Sequence, residues 1–235
     1  MNKQLTVIIP CYNEAKRMTT LLDFIKNNLS PDILWLFVND GSTDSSPDEL
    51  RLFIDLCPDH CQAIHFEKNK GKGAAVKAGL LMAQTPLVSY VDADLAANPM
   101  DLLDFTHDES IINGNDILIG IRIKSEQKQV KRFFYRHVIG RCFQTYVRFV
   151  TGLQVNDSQC GFKLLATDKA KRIAEQMTCS GFAFDVELLL IAKSMGMNIR
   201  EEMINWEEKG DSKVRPTHII KMARDIFKLR NRVYA

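Results

Sequence analysis

Two aspartates one residue apart, Asp92-Ala93-Asp94, close the apolar run at residues 87–91. In an extended segment or tight turn, side chains at i and i+2 lie on the same side. Two hard anionic oxygens at that spacing suit Mg²⁺ or Mn²⁺ rather than zinc. Magnesium is usually held by one or two carboxylates plus substrate phosphates, so the pair points to a diphosphate ligand. The spacing alone recurs by chance in many chains; its surroundings carry more weight. Asn13-Glu14 follows the apolar run 5–9, and Asn39-Asp40-Gly41-Ser42 follows the run 34–38. Three separate segments thus bring carboxylates to the ends of apolar runs. A single Asp after such a run is usually a helix cap, as Asp44 or Ser45 is ahead of Pro47.

Asn69-Lys70-Gly71-Lys72-Gly73 precedes a helical stretch. Glycines there let the backbone approach a ligand, and a helix N-terminus with lysines favours an anion; a plain loop and cap explain the segment equally well. No G-x-G-x-x-G follows the first apolar run, and no G-x-x-x-x-G-K-[ST] occurs. Asp40-Gly41-Ser42-Thr43 has the look of a phosphatase loop with an aspartyl nucleophile, but that loop needs Asp at position 38, where this chain has Val38. Cys57, His60, Cys61 and His65 fit no standard zinc spacing. The six cysteines are too sparse for a disulfide framework, which suggests reduced thiols.

The elements that must position these groups follow from periodicity. Runs 5–9, 34–38, 63–66, 87–91 and 117–121 read as strands, and 14–28, 47–56 and 73–83 as helices between them. Strands alternating with helices predict an α/β fold with a mostly parallel central sheet. Ligands then bind beyond the carboxyl ends of the strands, where the polar clusters fall. After residue 121 the pattern changes. Residues 127–150 read as a basic, aromatic helix, 157–162 as a polar glycine loop, 182–195 as an apolar helix with Asp185 and Glu187 near its start, 199–206 as a strand and 216–235 as a basic amphipathic helix. We therefore expect one domain over 1–215 and a C-terminal helix over 216–235.

Charge is divided unevenly: residues 1–121 carry 9 Lys/Arg against 17 Asp/Glu, and residues 122–235 carry 22 against 12. The basic half suits an anionic surface or ligand, though a solvated charged face accounts for it equally. No signal peptide and no run of about 20 apolar residues is visible, so neither a leader nor a spanning helix is expected.

Pro10-Cys11-Tyr12-Asn13-Glu14, Asn39 to Asp44, Asn69 to Gly73 and Asp92-Ala93-Asp94 come in the order and spacing of glycosyltransferase family 2, the GT-A fold, which the chain resembles. Asp157-Ser158-Gln159-Cys160-Gly161-Phe162-Lys163 and Phe182 to Leu188 look like the polyprenyl-phosphate (dolichyl-phosphate) glucosyl- and mannosyltransferases, the glucosyl branch above all. The resemblance implies an inverting transferase that moves one hexose from a nucleotide-sugar to a lipid phosphate with Mg²⁺ or Mn²⁺. It implies Pro10, Tyr12 and Glu14 at the nucleoside, Asp40 at the base, and Lys72 near the diphosphate. Asp92 and Asp94 would bind ribose, diphosphate and metal; Asp157 and Gln159 would face sugar and acceptor. Asp94 and Asp157 are the implied catalytic pair.

Mannosyl relatives carry Gln two residues after the second Asp, where this chain has Ala96, so UDP-glucose ranks ahead of GDP-mannose. The Q-x-x-R-W block of polymerising relatives is absent. A lipid monophosphate is largely ionised at neutral pH, its second pKa lying near ~6 by analogy with phosphorylated side chains, so Asp157 reads as an organiser. A hydroxyl acceptor would need it as a base. Arg122, Lys131, Arg132 and Arg136 are candidates for the acceptor phosphate, because guanidinium groups bind such oxygens bidentately. The expected setting is cytoplasmic, at the inner face of an anionic membrane, without nucleic acid and with a homo-oligomer left open. Transfer to a soluble or glycan hydroxyl and a catalytically silent membrane scaffold are the competing readings.

Overall fold

A computed structural model describes residues 3–122, 130–131, 134–207, 216–230 and 232, without the side chains of 130–131, 134–139 and 216. The elements in chain order are β1 (Leu5–Cys11), α1 (Ala15–Asn27), β2 (Ile33–Asn39), α2 (Ser46–Leu56), β3 (Cys61–His65), α3 (Lys72–Met82), β4 (Leu87–Val91), a 3-10 helix (Pro99–Phe105), α4 (Glu109–Ile112), β5 (Asp116–Ile121), β6 (Val130–Lys131), α5 (Phe134–Thr151), β7 (Phe162–Ala166), α6 (Thr167–Gln176), α7 (Phe184–Ser194), β8 (Asn198–Met203), β9 (Trp206–Glu207) and α8 (Pro216–Leu229).

Seven strands form one sheet in the order β3-β2-β1-β4-β7-β5-β8. All neighbours pair in parallel except β7, which runs against both β4 and β5. The expected α/β architecture therefore holds, with one antiparallel strand added. That strand and helix α6 were not expected from periodicity, and the anticipated helix over 127–150 begins as α5 at Phe134, with Val130–Lys131 pairing to β9 instead.

The strands read as unbroken apolar runs because both faces are covered. Alternation still decides which face each side chain serves: Ile8, Leu36, Val38 and Tyr90 pack under α3, α6 and α7, whereas Val7, Ile9, Trp35 and Phe37 pack under α1 and α2. Helix α3 lies close to β1, since a Cβ on Gly79 would come within 2.6 Å of Ile8 Cγ2.

The strand order reverses between β1 and β4, the neighbour pair at which connections leave to opposite sides. Such a switch point opens a crevice beyond the carboxyl ends of the two strands. Tyr12 to Glu14 leave β1 there, and Asp92 to Asp94 leave β4 there.

Helix α8 is packed, not appended. Met222 and Ile226 join the core beside Val147 of α5 and Val186 of α7, and the Tyr146 hydroxyl donates to Ala223 O at 2.8 Å. Of the apolar face expected on this helix, Ile226 is fully buried, Ile219 and Ala223 are half-buried, and Phe227 points outward. Among the described residues no helix is long and apolar enough to cross a membrane.

Because Ile226 is core, Ile226→Ala should cost about 2–5 kcal/mol and lower the melting of the whole domain in one transition. Calorimetry checks it: a separate early transition, with the main one unmoved, would mean that α8 melts on its own.

Candidate active site

The loops after β1 and β2 are stitched together by side chains. The Asn13 and Glu14 N–H groups donate to Ser42 Oγ and Ser46 Oγ at 2.9 Å each, and the Ala15 N–H donates to Asp44 Oδ2 at 3.0 Å. The first turn of α1 thus finds its missing acceptors on the neighbouring loop. Asp44, expected only as a cap ahead of Pro47, serves Ala15 and Ser46 together. Asn13 returns a bond, accepting from the Thr43 N–H at 2.8 Å, and its φ of 51° suits the left-handed preference of Asn. Pro10 sits in β1 opposite Val38, Glu14 is nearly buried, and the Tyr12 ring stands on the rim.

Asp40 is buried at the end of β2 and organises the loop ahead of α3. Its carboxylate accepts from the Lys70 N–H at 2.7 Å, the Gly71 N–H at 2.9 Å and Asn69 Nδ2 at 2.9 Å. Burial raises its pKa in spite of these bonds. About one of a carboxylate's roughly four acceptor positions is left. Gly41 permits the approach: its φ is 65°, and a Cβ would collide with the Lys68 and Asn69 backbone.

That loop delivers Lys72, the first residue of α3, to Asp92, with which its ammonium pairs. Packing around Asp92 pushes its pKa up, but the Lys72 charge and hydrogen bond, with Arg122 and Lys163 behind them, outweigh this and hold it below the usual range. Asp94 moves the other way: burial and the Asp92 charge raise it. Its Oδ1 accepts from the Ala96 N–H at 3.0 Å, closing a tight turn in which Leu95 has a φ of 54°, rare for a branched side chain.

Among the described residues Asp94 has no ion-pair partner, and no group of three or more His, Cys, Asp or Glu could hold a metal. Two neighbouring carboxylates, one raised by the other, do fit a divalent cation that completes its shell on phosphates.

Across the cleft, Arg122 leaves β5 and grips Asp157 bidentately, Nε to Oδ2 at 2.6 Å and Nη2 to Oδ1 at 2.8 Å. The guanidinium lies 5.3 Å from the Trp206 ring centre; burial works against its charge, but the Asp157 charge and hydrogen bonds outweigh this and raise the Arg122 pKa. The loop from Asp157 presses on the aspartate pair: a Cβ on Gly161 would sit 2.5 Å from Asp92 Oδ2. Gln159 Nε2 turns instead toward Phe182 O at 3.3 Å and Met222 Sδ at 2.7 Å.

Pro10, Tyr12, Glu14, Asp40, Lys72, Asp92 and Asp94 therefore gather at the β1–β4 crevice, and Arg122 with Asp157 faces them. Arg132 and the side chains of Lys131 and Arg136 lie outside the described residues. Reading the sequence missed roles for Gly161, Lys163, Tyr90 and Trp206; a lysine inside the apolar run Phe162 to Ala166 was the available signal.

A sheet with its ligand crevice at a topological switch point, carrying paired carboxylates and a lysine, defines a class of α/β protein that handles diphosphates. The glycosyl transferase family 2 model matches residues 6–174, and the chain belongs to that family and is a glycosyltransferase. It is 33% identical over 248 residues to the dolichyl-phosphate beta-glucosyltransferase of Dictyostelium discoideum, covering 98% of this chain and 75% of that one. The Homo sapiens protein of the same name is 29% identical, covering 98% and 76%. In fold, glucosyl-3-phosphoglycerate synthase from Mycobacterium tuberculosis bound to UDP superposes with a TM-score of 0.66 at 16% identity, covering 95% and 77%. A mannosyltransferase from Pyrobaculum calidifontis with GDP-Man and Mn²⁺ gives 0.60 at 19%, covering 95% and 61%.

Gly161→Ala should reduce turnover about 10²-fold, the scale of an ångström-level misplacement. The clash is with a side-chain carboxylate, which can shift, so the melting temperature should drop by no more than about 5 °C. Steady-state rates and a thermal melt on the same preparation check both halves. A folded variant at full rate would show that the approach to Asp92 has slack.

Proposed function

We propose that this chain transfers a single hexose, with inversion, from a nucleotide-sugar to a polyprenyl-phosphate acceptor of the dolichyl-phosphate kind. The observation that carries the acceptor class is the bidentate Arg122–Asp157 pair. A carboxylate held by a guanidinium is a poor proton acceptor. A hydroxyl acceptor needs such a base, whereas a phosphate monoester arrives already ionised. The names of relatives similar across nearly the whole chain support the same reading.

In this reading Pro10, Tyr12 and Glu14 wall the nucleoside, and Asp40 offers its remaining acceptor position to the base. Lys72 neutralises charge on the departing diphosphate. Asp92 and Asp94 would hold Mg²⁺ or Mn²⁺, which when bound supplies further charge neutralisation there. Arg122 has three N–H groups beyond the two engaged by Asp157, and these, with Lys131, Arg132 and Arg136, take the acceptor phosphate. Asp157 keeps the Arg122 fork oriented, and Gln159 ties the 157–161 loop, which faces the acceptor in this reading, to α8. The lipid phosphate oxygen attacks the anomeric carbon as the nucleoside diphosphate leaves from the opposite face. UDP-glucose is the favoured donor, with GDP-mannose second, because Ala96 stands where mannosyl relatives have Gln.

Labelled UDP-glucose or GDP-mannose, polyprenyl phosphate and Mn²⁺ should move label into the organic phase, faster from UDP-glucose. Asp94→Ala should abolish transfer in a folded protein, since several kcal/mol of transition-state stabilisation go with the metal contact. Label that reaches only a soluble acceptor would reject the lipid reading, and an active Asp94→Ala would reject the site.

The lipid acceptor calls for a docking surface, and α8 supplies one for peripheral binding at the cytoplasmic face of an anionic membrane. Ile220 and Phe227 are exposed on it beside Lys221, Arg224, Lys228 and Arg230, and Phe149 of α5 is 90% exposed. A cavity of about 420 Å³ between α8 and residues 178–181 is lined by Lys221, Lys228 and Arg232 along with Asp225. Each basic residue near such a surface contributes about 1 kcal/mol, screened by salt. Co-sedimentation with phosphatidylglycerol vesicles should be strong at low salt, fade at high salt, and drop about 10²-fold or more when Lys221, Lys228 and Arg230 become glutamate. Absence of binding at low salt leaves α8 a purely structural helix.

A further inference from the structure

Two acidic side chains in the first turn of α7, Asp185 and Glu187, are buried to 4% and 0% exposure, and no step above uses them. Ionic groups at that depth persist only when fully paired and hydrogen-bonded. Their partners are the elements that carry the site.

Asp185 Oδ1 accepts from Lys163 Nζ at 2.6 Å and from the Tyr90 hydroxyl. Tyr90 lies in β4, two residues before Asp92. Lys163, itself fully buried, donates its second bond to Cys160 O at 2.8 Å and lies 5.3 Å from the centre of the Tyr90 ring. Cys160 precedes Gly161, whose backbone backs onto the Asp92 carboxylate. One carboxylate thus ties the strand that carries Asp92 to the loop that presses on it.

Glu187 works on the other side. It accepts from Thr178 Oγ1 at 2.7 Å, from the Cys179 N–H at 2.7 Å and from the Thr178 N–H at 3.0 Å, and Arg232 joins it at 3.1 Å. These bonds set the segment 178–181. Its Ser180 carbonyl accepts from the Ala74 N–H at 3.2 Å, and the Ser180 and Cys179 carbonyls stand where a Cβ on Gly71 or Gly73 would be. Gly71 and Gly73 bracket Lys72. Positions i and i+2 of a helix point about 200° apart at 3.6 residues per turn, so a single turn can hold two separate elements.

We propose that Asp185, with Lys163, and Glu187 are positioning residues for the transfer reaction: the first turn of α7 sets the distance and orientation between Asp92 and Lys72. Neither carboxylate touches substrate. A buried ion pair is weak support for stability, since apolar residues of similar volume often replace it at no loss. Its consequence here is geometric. Removing the Asp185 and Lys163 charges together leaves the fold standing and lets the Asp92–Gly161 contact relax, and removing the Glu187 charge does the same for the Lys72 loop.

The proposal rests on the reading that Asp92 and Lys72 meet the donor diphosphate. The test uses the full chain with UDP-glucose and GDP-mannose, polyprenyl phosphate and Mn²⁺, comparing wild type, Glu187→Gln and the double variant Asp185→Asn/Lys163→Met. The double variant avoids stranding an unpaired buried charge. Thermal melts identify folded protein, and rates at varied donor and acceptor separate kcat from KM. We expect kcat to fall about 10²-fold in both variants, with donor KM moving by less than about threefold. Folded variants at wild-type kcat, or a loss carried by KM alone, overturn the proposal while leaving the site reading intact. Loss of turnover only in proportion to lost folded protein overturns it too. A wild type inactive with both donors overturns the site reading, and the clamp with it.

Discussion

Compensation of negative charge in a small volume governs this site. Asp92, Asp94, Asp157 and Asp185 meet at one end of the sheet, where like charges would drive each other toward protonation. Three cations answer them: Lys72 pairs with Asp92, Lys163 with Asp185 and Arg122 with Asp157. Each cation comes from a different element, so every ion pair is also a tie between elements. Lys72 joins α3 to the end of β4, Lys163 joins β7 to α7, and Arg122 joins the end of β5 to the loop of Asp157. Asp94, left with a raised pKa beside a depressed one, is where an added cation gains most.

The topology explains why these ties are needed. A crevice at the β1–β4 switch point is assembled from loops that no strand pairing holds directly. The first half solves this with side-chain caps, Ser42, Ser46 and the Asp44 carboxylate serving the start of α1, and with Asp40 gathering the N–H groups ahead of α3. The second half uses ion pairs on buried carboxylates. Strand β7, wedged antiparallel between β4 and β5, places Lys163 directly beneath the rim, and a buried lysine is tolerable there because Asp185 and Cys160 O satisfy it.

The same division decides what could be read beforehand. The first four strands and three helices were legible because apolar runs alternate with helical spacing and Gly or Pro marks their ends. Asp40, Asp92 and Asp94 were legible because they follow such runs directly, and Lys72 because it lies in a glycine-flanked segment ahead of a helix. Strand β7 was not, since a lysine at the second of five positions argues against a fully buried strand until Asp185, distant in sequence, neutralises it. Gly161 was unreadable for a related reason: its close approach to Asp92 is a tertiary contact across 69 positions. The amphipathic pattern of α8 was visible, but periodicity cannot say which apolar residues face the core; Ile226 does and Phe227 does not.

Arg232, past the end of α8, connects these layers. Its guanidinium reaches Glu187, which also holds Thr178 and Cys179, whose segment seats the Lys72 loop. The helix read here as the membrane-facing element therefore ends on the residue proposed to position Lys72. Met222 of the same helix touches Gln159 in the loop of Asp157, and His218 lies against the Phe182 ring at 5.4 Å. Helix α8 and the residues just after it thus touch both sides of the cleft through contacts of about 3 Å, Arg232 to Glu187 at 3.1 Å and Gln159 to Met222 at 2.7 Å. Close packing is what makes such a connection physical: interiors at crystal-like density transmit a displacement instead of absorbing it. In the proposed reading, the docking helix and the chemistry are joined through one buried carboxylate, Glu187, which Arg232 reaches at 3.1 Å.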